Sequence, residues 1–462
     1  MGTHAQHGLV EGHPERRELV GTAVPLALTA LSFALMSAVD TAFVTGLGVA
    51  ALAGVGLGGT LTFVAIITTG SILRGLKICM VQAEGRGEPS LGYLGAGLRL
   101  GALGALPTML ALVALGFAAP LMLSTPESGR AASEYIWVRS TSIPLLFVLM
   151  NLREAFYGRG DTKTPLGAII GANVLNVALN ALALYVLDWG VPGIALSTVL
   201  CVTFQALWLG LRQRRIGFGW SLATVAHRRA IMAIGLPLAG QKLLETSAFT
   251  AIAAMIAHTG DSAAAAHQIG LQLLLLGNLP SVALGDAVSL VSGRLAGAGD
   301  PVRARGVTSF ALRLGLGWAA GVGAVAALLA PVIGPRLVPS DPEVVVVLWA
   351  CAVMLVLEST SLVAQGYLRA TGDPRYPSVV VMVNAVFVSP ALAALGIFGL
   401  GLRASAGWMA FIVEVSVSST LLWRRIAKRT ATLRAPASEP QLADDVADDT
   451  LNADTPLAGG VG

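Results

Sequence analysis

Apolar residues run through this chain in long, nearly unbroken stretches separated by short polar turns. Strands would show period-two alternation, and helices on a soluble core would show a one-sided stripe. Crossing a hydrocarbon core takes about 20 residues at about 1.5 Å rise each. Twelve stretches reach that length: residues 19–44, 52–82, 96–123, 134–158, 164–187, 191–211, 229–258, 262–295, 306–338, 344–370, 376–398 and 404–423. The pattern predicts an all-α polytopic membrane protein with about twelve transmembrane helices.

The pattern also repeats. A shift of 212 residues lays Pro25 on Pro237, Gly48 on Gly260, the Gly85-Arg86-Gly87-Glu88-Pro89 turn on Gly297-Ala298-Gly299-Asp300-Pro301, and Gly160-Asp161 on Gly372-Asp373, without a gap. Six spans per copy give two pseudo-symmetric lobes. Because six is even, both copies enter the membrane with one orientation and are related by an axis along its normal, an arrangement that commonly places a substrate site between the copies. The expected organisation is a cytoplasmic segment 1–18, an N-lobe 19–211, an inter-lobe linker 212–228, a C-lobe 229–429 and a disordered cytoplasmic tail 430–462 rich in Ala, Pro and Asp.

Composition agrees: 55% hydrophobic and only 12% charged residues in 462, with mean hydropathy +0.74, exclude a soluble globular protein, which carries about twice that charge. Loops after even-numbered spans hold most of the basic residues, among them Arg86, Arg159, Arg212, Arg294, Arg303 and Arg424, whereas the opposite loops offer little beyond Arg130, Arg336 and Arg403. Positive residues stay inside, so both termini are expected in the cytoplasm of a multi-pass inner-membrane protein. The pI of about 9.1 is then topology rather than nucleic-acid binding, and the partner is the bilayer. Residues 1–18 lack the apolar core of a signal peptide. Cys79, Cys201 and Cys351 fall within spans without metal-like spacing, which argues against disulfides and zinc. The chain is expected to act as a monomer.

Ionisable residues inside the membrane cost about 2.5–3.5 kcal/mol each on insertion scales, so each must face protein or water. Counting rise from the span ends, Asp40, Asn180 and Thr198 lie about 8–10 Å below the outer surface, at one level. Asn173, Asn176 and Asn180 share a helical stripe. Glu245 and Glu358 both lie about 20 Å deep. They could trade a proton near neutrality or hold Na⁺ through oxygens, although Lys242, three residues before Glu245, could neutralise it. Arg74 and Asp286 are repeat mates about 33–36 Å from the outer ends of their spans. Mates under an axis along the membrane normal can meet only between lobes, which suggests an ion pair closing the cytoplasmic side. His267 reads as a packing or cap residue, and the Gly160-Asp161 and Gly372-Asp373 pairs as turns.

Several phrases taken together are more specific. Val39-Asp40-Thr41-Ala42-Phe43-Val44, Leu47-Gly48-Val49-Ala50-Ala51-Leu52-Ala53, Gly158-Arg159-Gly160-Asp161-Thr162-Lys163-Thr164-Pro165, Gly235-Leu236-Pro237, Ala265-Ala266-His267-Gln268-Ile269 and Gly366-Tyr367-Leu368-Arg369-Ala370-Thr371-Gly372-Asp373 resemble the multidrug and toxic compound extrusion (MATE) family across roughly residues 19–428. The resemblance implies a twelve-helix secondary antiporter that exports amphipathic organic compounds in exchange for H⁺ or Na⁺, without a cofactor or an ATP site. No Gly-rich loop ending in Gly-Lys-Ser/Thr is present.

It further implies that Asp40 responds to protons with partners on the fifth span, which here carries Asn176 and Asn180, and that Glu245 and Glu358 match acidic positions of the seventh and tenth spans. A second aspartate of one subgroup is replaced here by Asn180, which leaves Asp40 without a like-charged neighbour. Arg74, Lys77 and Arg139 keep open an organic-anion exporter of the same fold, or a lipid-linked precursor flippase, although a flippase would be expected to carry extra spans. No paired catalytic groups at a membrane surface suggest an enzyme.

Overall fold

A computed structural model describes residues 14–339 and 341–434, with side chains to residue 429. These residues are helical or in turns, with no strand among them. The first lobe contains α1 (Pro14–Thr45), α2 (Val49–Gly85), α3 (Leu91–Ala118), α4 (Pro126–Ser140), α5 (Ile143–Gly158), α6 (Lys163–Ala181) and α7 (Gly190–Arg214). The second contains α8 (Val225–Ala257), α9 (Asp261–Gly297), α10 (Pro301–Leu337), α11 (Glu343–Ala370), α12 (Arg375–Val383), α13 (Ser389–Ala394) and α14 (Ala404–Arg434).

The repeat is visible in the backbone. Val49–Gly85 maps onto Asp261–Gly297 under the same shift of 212, and each helix is preceded by a glycine at positive φ, Gly48 at 99° and Gly260 at 136°. A side chain is strained there, so glycine fixes the reversal that starts each long helix. The π-helical turns Leu182–Val186 and Leu395–Gly399 close corresponding spans of the two lobes.

Ten of these helical units are long and apolar enough to cross a membrane, and α4 with α5, bent by 54°, makes an eleventh. Residues 134–158, expected as one straight span, are therefore broken. The hydroxyls of Ser140, Thr141 and Ser142 donate to the carbonyls of Trp137, Val138 and Arg139, each at 2.7 Å. Pro144 follows without an N–H to continue the ladder. The remaining member of the repeat, α8, spans 33 residues. Gln241, Lys242 and Glu245 in its middle lower its apolar character, and it packs along α2.

Boundaries shift from expectation in three places. Residues 14–18 already belong to α1, while 1–13 lie outside the described residues. The linker shortens to 215–224 because α7 continues to Arg214 and α8 begins at Val225; Arg99 on α3 ties it down through the carbonyls of Trp220 (2.7 Å) and Ala223 (3.4 Å). The expected tail begins inside α14, and 435–462 lie outside the described residues.

The lobes meet over the half that carries the arginine-rich turns. A Cβ added to Gly235 would collide with the backbone of Ile72, and one on Gly75 with the backbone of Ile231, so α2 and α8 approach at backbone distance. Around them Leu19, Leu26, Val81 and Tyr157 of the first lobe share one buried cluster with Val288, Val291, Val363 and Leu368 of the second. At the opposite end of the C-lobe, Arg403 grips Asp341 at 2.6 Å. Burial pushes the Asp341 carboxyl up, yet the Ser262 hydroxyl, the Glu343 amide and Arg403 together hold it below its ordinary value.

Candidate functional site

Asp40, on α1, projects between α6 and α7. Its Oδ1 accepts from Asn176 Nδ2 at 2.9 Å and Asn180 Nδ2 at 2.7 Å, and its Oδ2 accepts from the Thr198 hydroxyl at 3.0 Å. Both asparagines are fully buried. They meet the same carboxylate because positions four apart on a helix lie on one face. Asn173, one turn earlier, reaches the Ser32 carbonyl at 3.1 Å instead. Among the described residues Asn180 Oδ1 is buried without a hydrogen-bond partner, and so are Arg139 Nε and Nη1 on α4. This pocket thus holds one carboxylate, three donors to it and a spare acceptor.

The C-lobe holds a second polar site. Glu245 and Lys242 pair at 3.0 Å, as their spacing on α8 permits, and both line a cavity of about 340 Å³ with Glu358 of α11. The other walls are largely apolar, including Phe249, Leu275 and Met354, and Phe249 stacks on Phe411 at 4.3 Å. A third carboxylate, Glu414 of α14, opens into the same space. Sequence reasoning passed over it, although it is the only acid in the last apolar stretch. Among the described residues, no group of three or more His, Cys, Asp or Glu takes up metal-holding geometry. Three carboxylates and one lysine thus share a largely apolar cavity.

Between the lobes, Arg74 Nη2 lies 3.2 Å from Asp286 Oδ2. Lys77, one turn further along α2 and 4% exposed, reaches Asp286 Oδ1 at 2.7 Å and Glu154 of α5 at 4.0 Å. The expected pair is therefore part of a cluster of four charges. Asp286, Arg74 and Lys77 also border a cavity of about 100 Å³ with Gln241, Gln365 and Arg369, and Lys242, Glu245 and Glu358 line its far side. Arg369 Nη2 donates to both glutamine carbonyls, at 2.9 Å and 2.6 Å. A continuous polar seam joins the closed end to the C-lobe carboxylates.

Blander expectations resolve individually. His267 is buried edge-on to Trp408 at 5.8 Å, and its ring nitrogens have no hydrogen-bond partner among the described residues. Asp161 seals its turn by accepting from the backbone N–H of Lys163 and of Thr164. Asp373 departs from its mate and binds Arg425 at 2.8 Å and Arg429 at 3.3 Å.

Two helical bundles related by an internal repeat, each with carboxylate chemistry among its membrane-spanning helices and joined to one another by ion pairs at one end, have the architecture of a two-lobed membrane transporter. The MatE family model matches residues 25–182 and again 237–395, once in each copy of the repeat. The chain belongs to the MatE family. Relatives include "Probable multidrug resistance protein NorM" of Burkholderia pseudomallei, 29% identical over 439 residues that cover 89% of this chain and 92% of that protein. "Multidrug resistance protein NorM" of Burkholderia vietnamiensis is 28% identical, covering 90% and 94%. Among solved structures, a MATE protein in the bent conformation has a TM-score of 0.85 over 91% of this chain and 96% of that one. A MOP superfamily transporter from Pyrococcus furiosus has a TM-score of 0.82, covering 91% and 97%. Both are 18% identical, a level that speaks to the fold alone.

Proposed function

We propose that this protein is a plasma-membrane secondary antiporter that exports amphipathic organic compounds in exchange for H⁺ or Na⁺, alternating between two openings of the cleft. The observation that carries the reading is Glu358, a carboxylate at membrane depth without an ion-pair partner among the described residues, facing the same cavity as the Lys242–Glu245 pair. Loading a cation there removes a buried charge. A ligand shifts the two openings only by its differential affinity for them, so cation and cargo exert opposing biases. One elementary charge moving down 100 mV supplies about 2.3 kcal/mol, more than the roughly 1.4 kcal/mol that a tenfold cargo gradient requires. The multidrug names of the relatives and the apolar walls around the carboxylates support amphipathic cargo. In this reading both termini are cytoplasmic, the protein works as a monomer, and the Arg74–Asp286 pair closes the cytoplasmic end. The basic seam at Arg74, Lys77 and Arg369 favours an organic-anion exporter as the second reading.

The test is the full-length protein in liposomes with a pH gradient or a Na⁺ gradient imposed separately, following efflux of a cationic dye and, in parallel, an anionic one. Glu245→Gln and Glu358→Gln keep side-chain shape and lose the titratable charge. Each is expected to leave the protein folded and to abolish gradient-driven efflux. Wild-type rates in both variants overturn the reading, and export of the anionic dye alone selects the second one.

A further inference from the structure

Neither the repeat nor the family match assigns Glu414 a role. It lies on α14 and is 5% exposed. Among the described residues it has no hydrogen-bond or ion-pair partner, yet it lines the 340 Å³ cavity. The charged groups facing it are Glu358 from α11 and Glu245 with Lys242 from α8. Among the side chains that the neighbouring α9 adds to the cavity wall only Asn278 is polar, and it is uncharged; Asn384, in the π-helical turn after α12, donates to the Ser418 hydroxyl at 2.8 Å. Lys242 is committed to Glu245 at 3.0 Å. One ammonium thus serves three carboxylates, and two stay uncompensated.

Burying an unpaired ion costs several kcal/mol even after relaxation. A single cation bound at Glu358 would leave Glu414 in that condition inside the same cavity. The volume is at the lower end of ligand pockets, about 300–1,000 Å³, so space does not limit the lobe to one cation. Glu358 of α11 and Glu414 of α14 both line the shared cavity, so each can be loaded from it.

We propose that Glu414 is a second coupling carboxylate, so that the C-lobe takes up two monovalent cations in each transport cycle instead of one. This rests on the reading of Glu245 and Glu358 as coupling groups. The coupling ion is a proton or Na⁺, and the two are separated by running each gradient alone.

The experiment measures the cargo gradient that just balances an imposed cation gradient in liposomes containing the full-length protein, with the membrane potential clamped at zero and ethidium as probe. Each coupled cation multiplies the balancing cargo gradient by the cation gradient. With a tenfold cation gradient, wild type is expected to hold a tenfold larger ethidium gradient than Glu414→Gln, and Glu414→Asp is expected to restore the wild-type balance. Should Glu414→Gln fold but fail to transport, the cations released when ethidium is added to the detergent-solubilised protein give the same count, one fewer in the variant. Equal balance points, or equal release, overturn the proposal and mean that Glu414 is inert or shares a single proton with Glu358. If Glu245→Gln and Glu358→Gln also balance and export like wild type, the C-lobe coupling reading falls with it. If only those two are impaired, Glu414 alone loses its role.

Discussion

Around Asp40, hydrogen-bond direction sets what the side chain can do. Three donors point at its two oxygens, an arrangement suited to an ionised carboxylate, which only accepts. A protonated Asp40 would need an acceptor, and Asn180 Oδ1 beside it is buried and unused. Asp40→Asn supplies an amide N–H for that acceptor and so imitates the protonated side chain. The variant is expected to fold normally and to lose gradient-driven transport in the liposome assay. Wild-type transport rates make Asp40 structural. This site was legible in the sequence because depth along three separate spans placed Asp40, Asn180 and Thr198 at one level. Glu414 was not, for a related reason. The repeat directs attention to mates, and the mate of Glu414 is Val202, so no symmetry marks it.

At the scale of whole helices, closure depends on how near α2 and α8 can come. Gly75 and Gly235 are the positions where a side chain would strike the opposing backbone rather than a movable side-chain tip. Gly235→Val is therefore expected to hold α2 and α8 apart at the closed end without unfolding either lobe. A cysteine pair placed across the arginine-rich ends should cross-link several-fold more slowly in the variant, while its thermal unfolding temperature stays within a few degrees of wild type. Unchanged cross-linking means that the helices accommodate the valine by sliding. Glycine at these sites carried no signal by itself among 54 glycines, since backbone proximity between distant segments is not written in local pattern. The bend between α4 and α5 was hidden similarly. A run of apolar residues looks the same straight or broken, and only the Ser-Thr-Ser hydroxyls before Pro144 hint at the break.

For the molecule as a whole, the 212-residue repeat did the most to make architecture readable from sequence, and it identified Arg74 and Asp286 as residues that could touch only between lobes. It gave no reason to include Lys77, whose own repeat mate, Ser289, carries no charge. Both cations reach Asp286, so the closed end should be coupled rather than additive. In a double-mutant cycle with Arg74→Ala and Asp286→Ala, scored by cross-linking across the arginine-rich ends of the two lobes, an interaction of about 0.5–3 kcal/mol is expected. Full additivity removes the pair from any role in closure.

Lys77 has a further consequence for how readily that end comes undone. Besides Asp286 across the seam, it has Glu154 of its own lobe at 4.0 Å, and Asp286 has Arg369 of its own lobe bordering the same cavity. Stranding one member of a buried pair typically costs about 3–5 kcal/mol. Parting the lobes would hand Lys77 and Asp286 to resident understudies and leave Arg74, 31% exposed, to water. Under the proposed alternation of openings, such a contact is cheap to release as well as firm when shut.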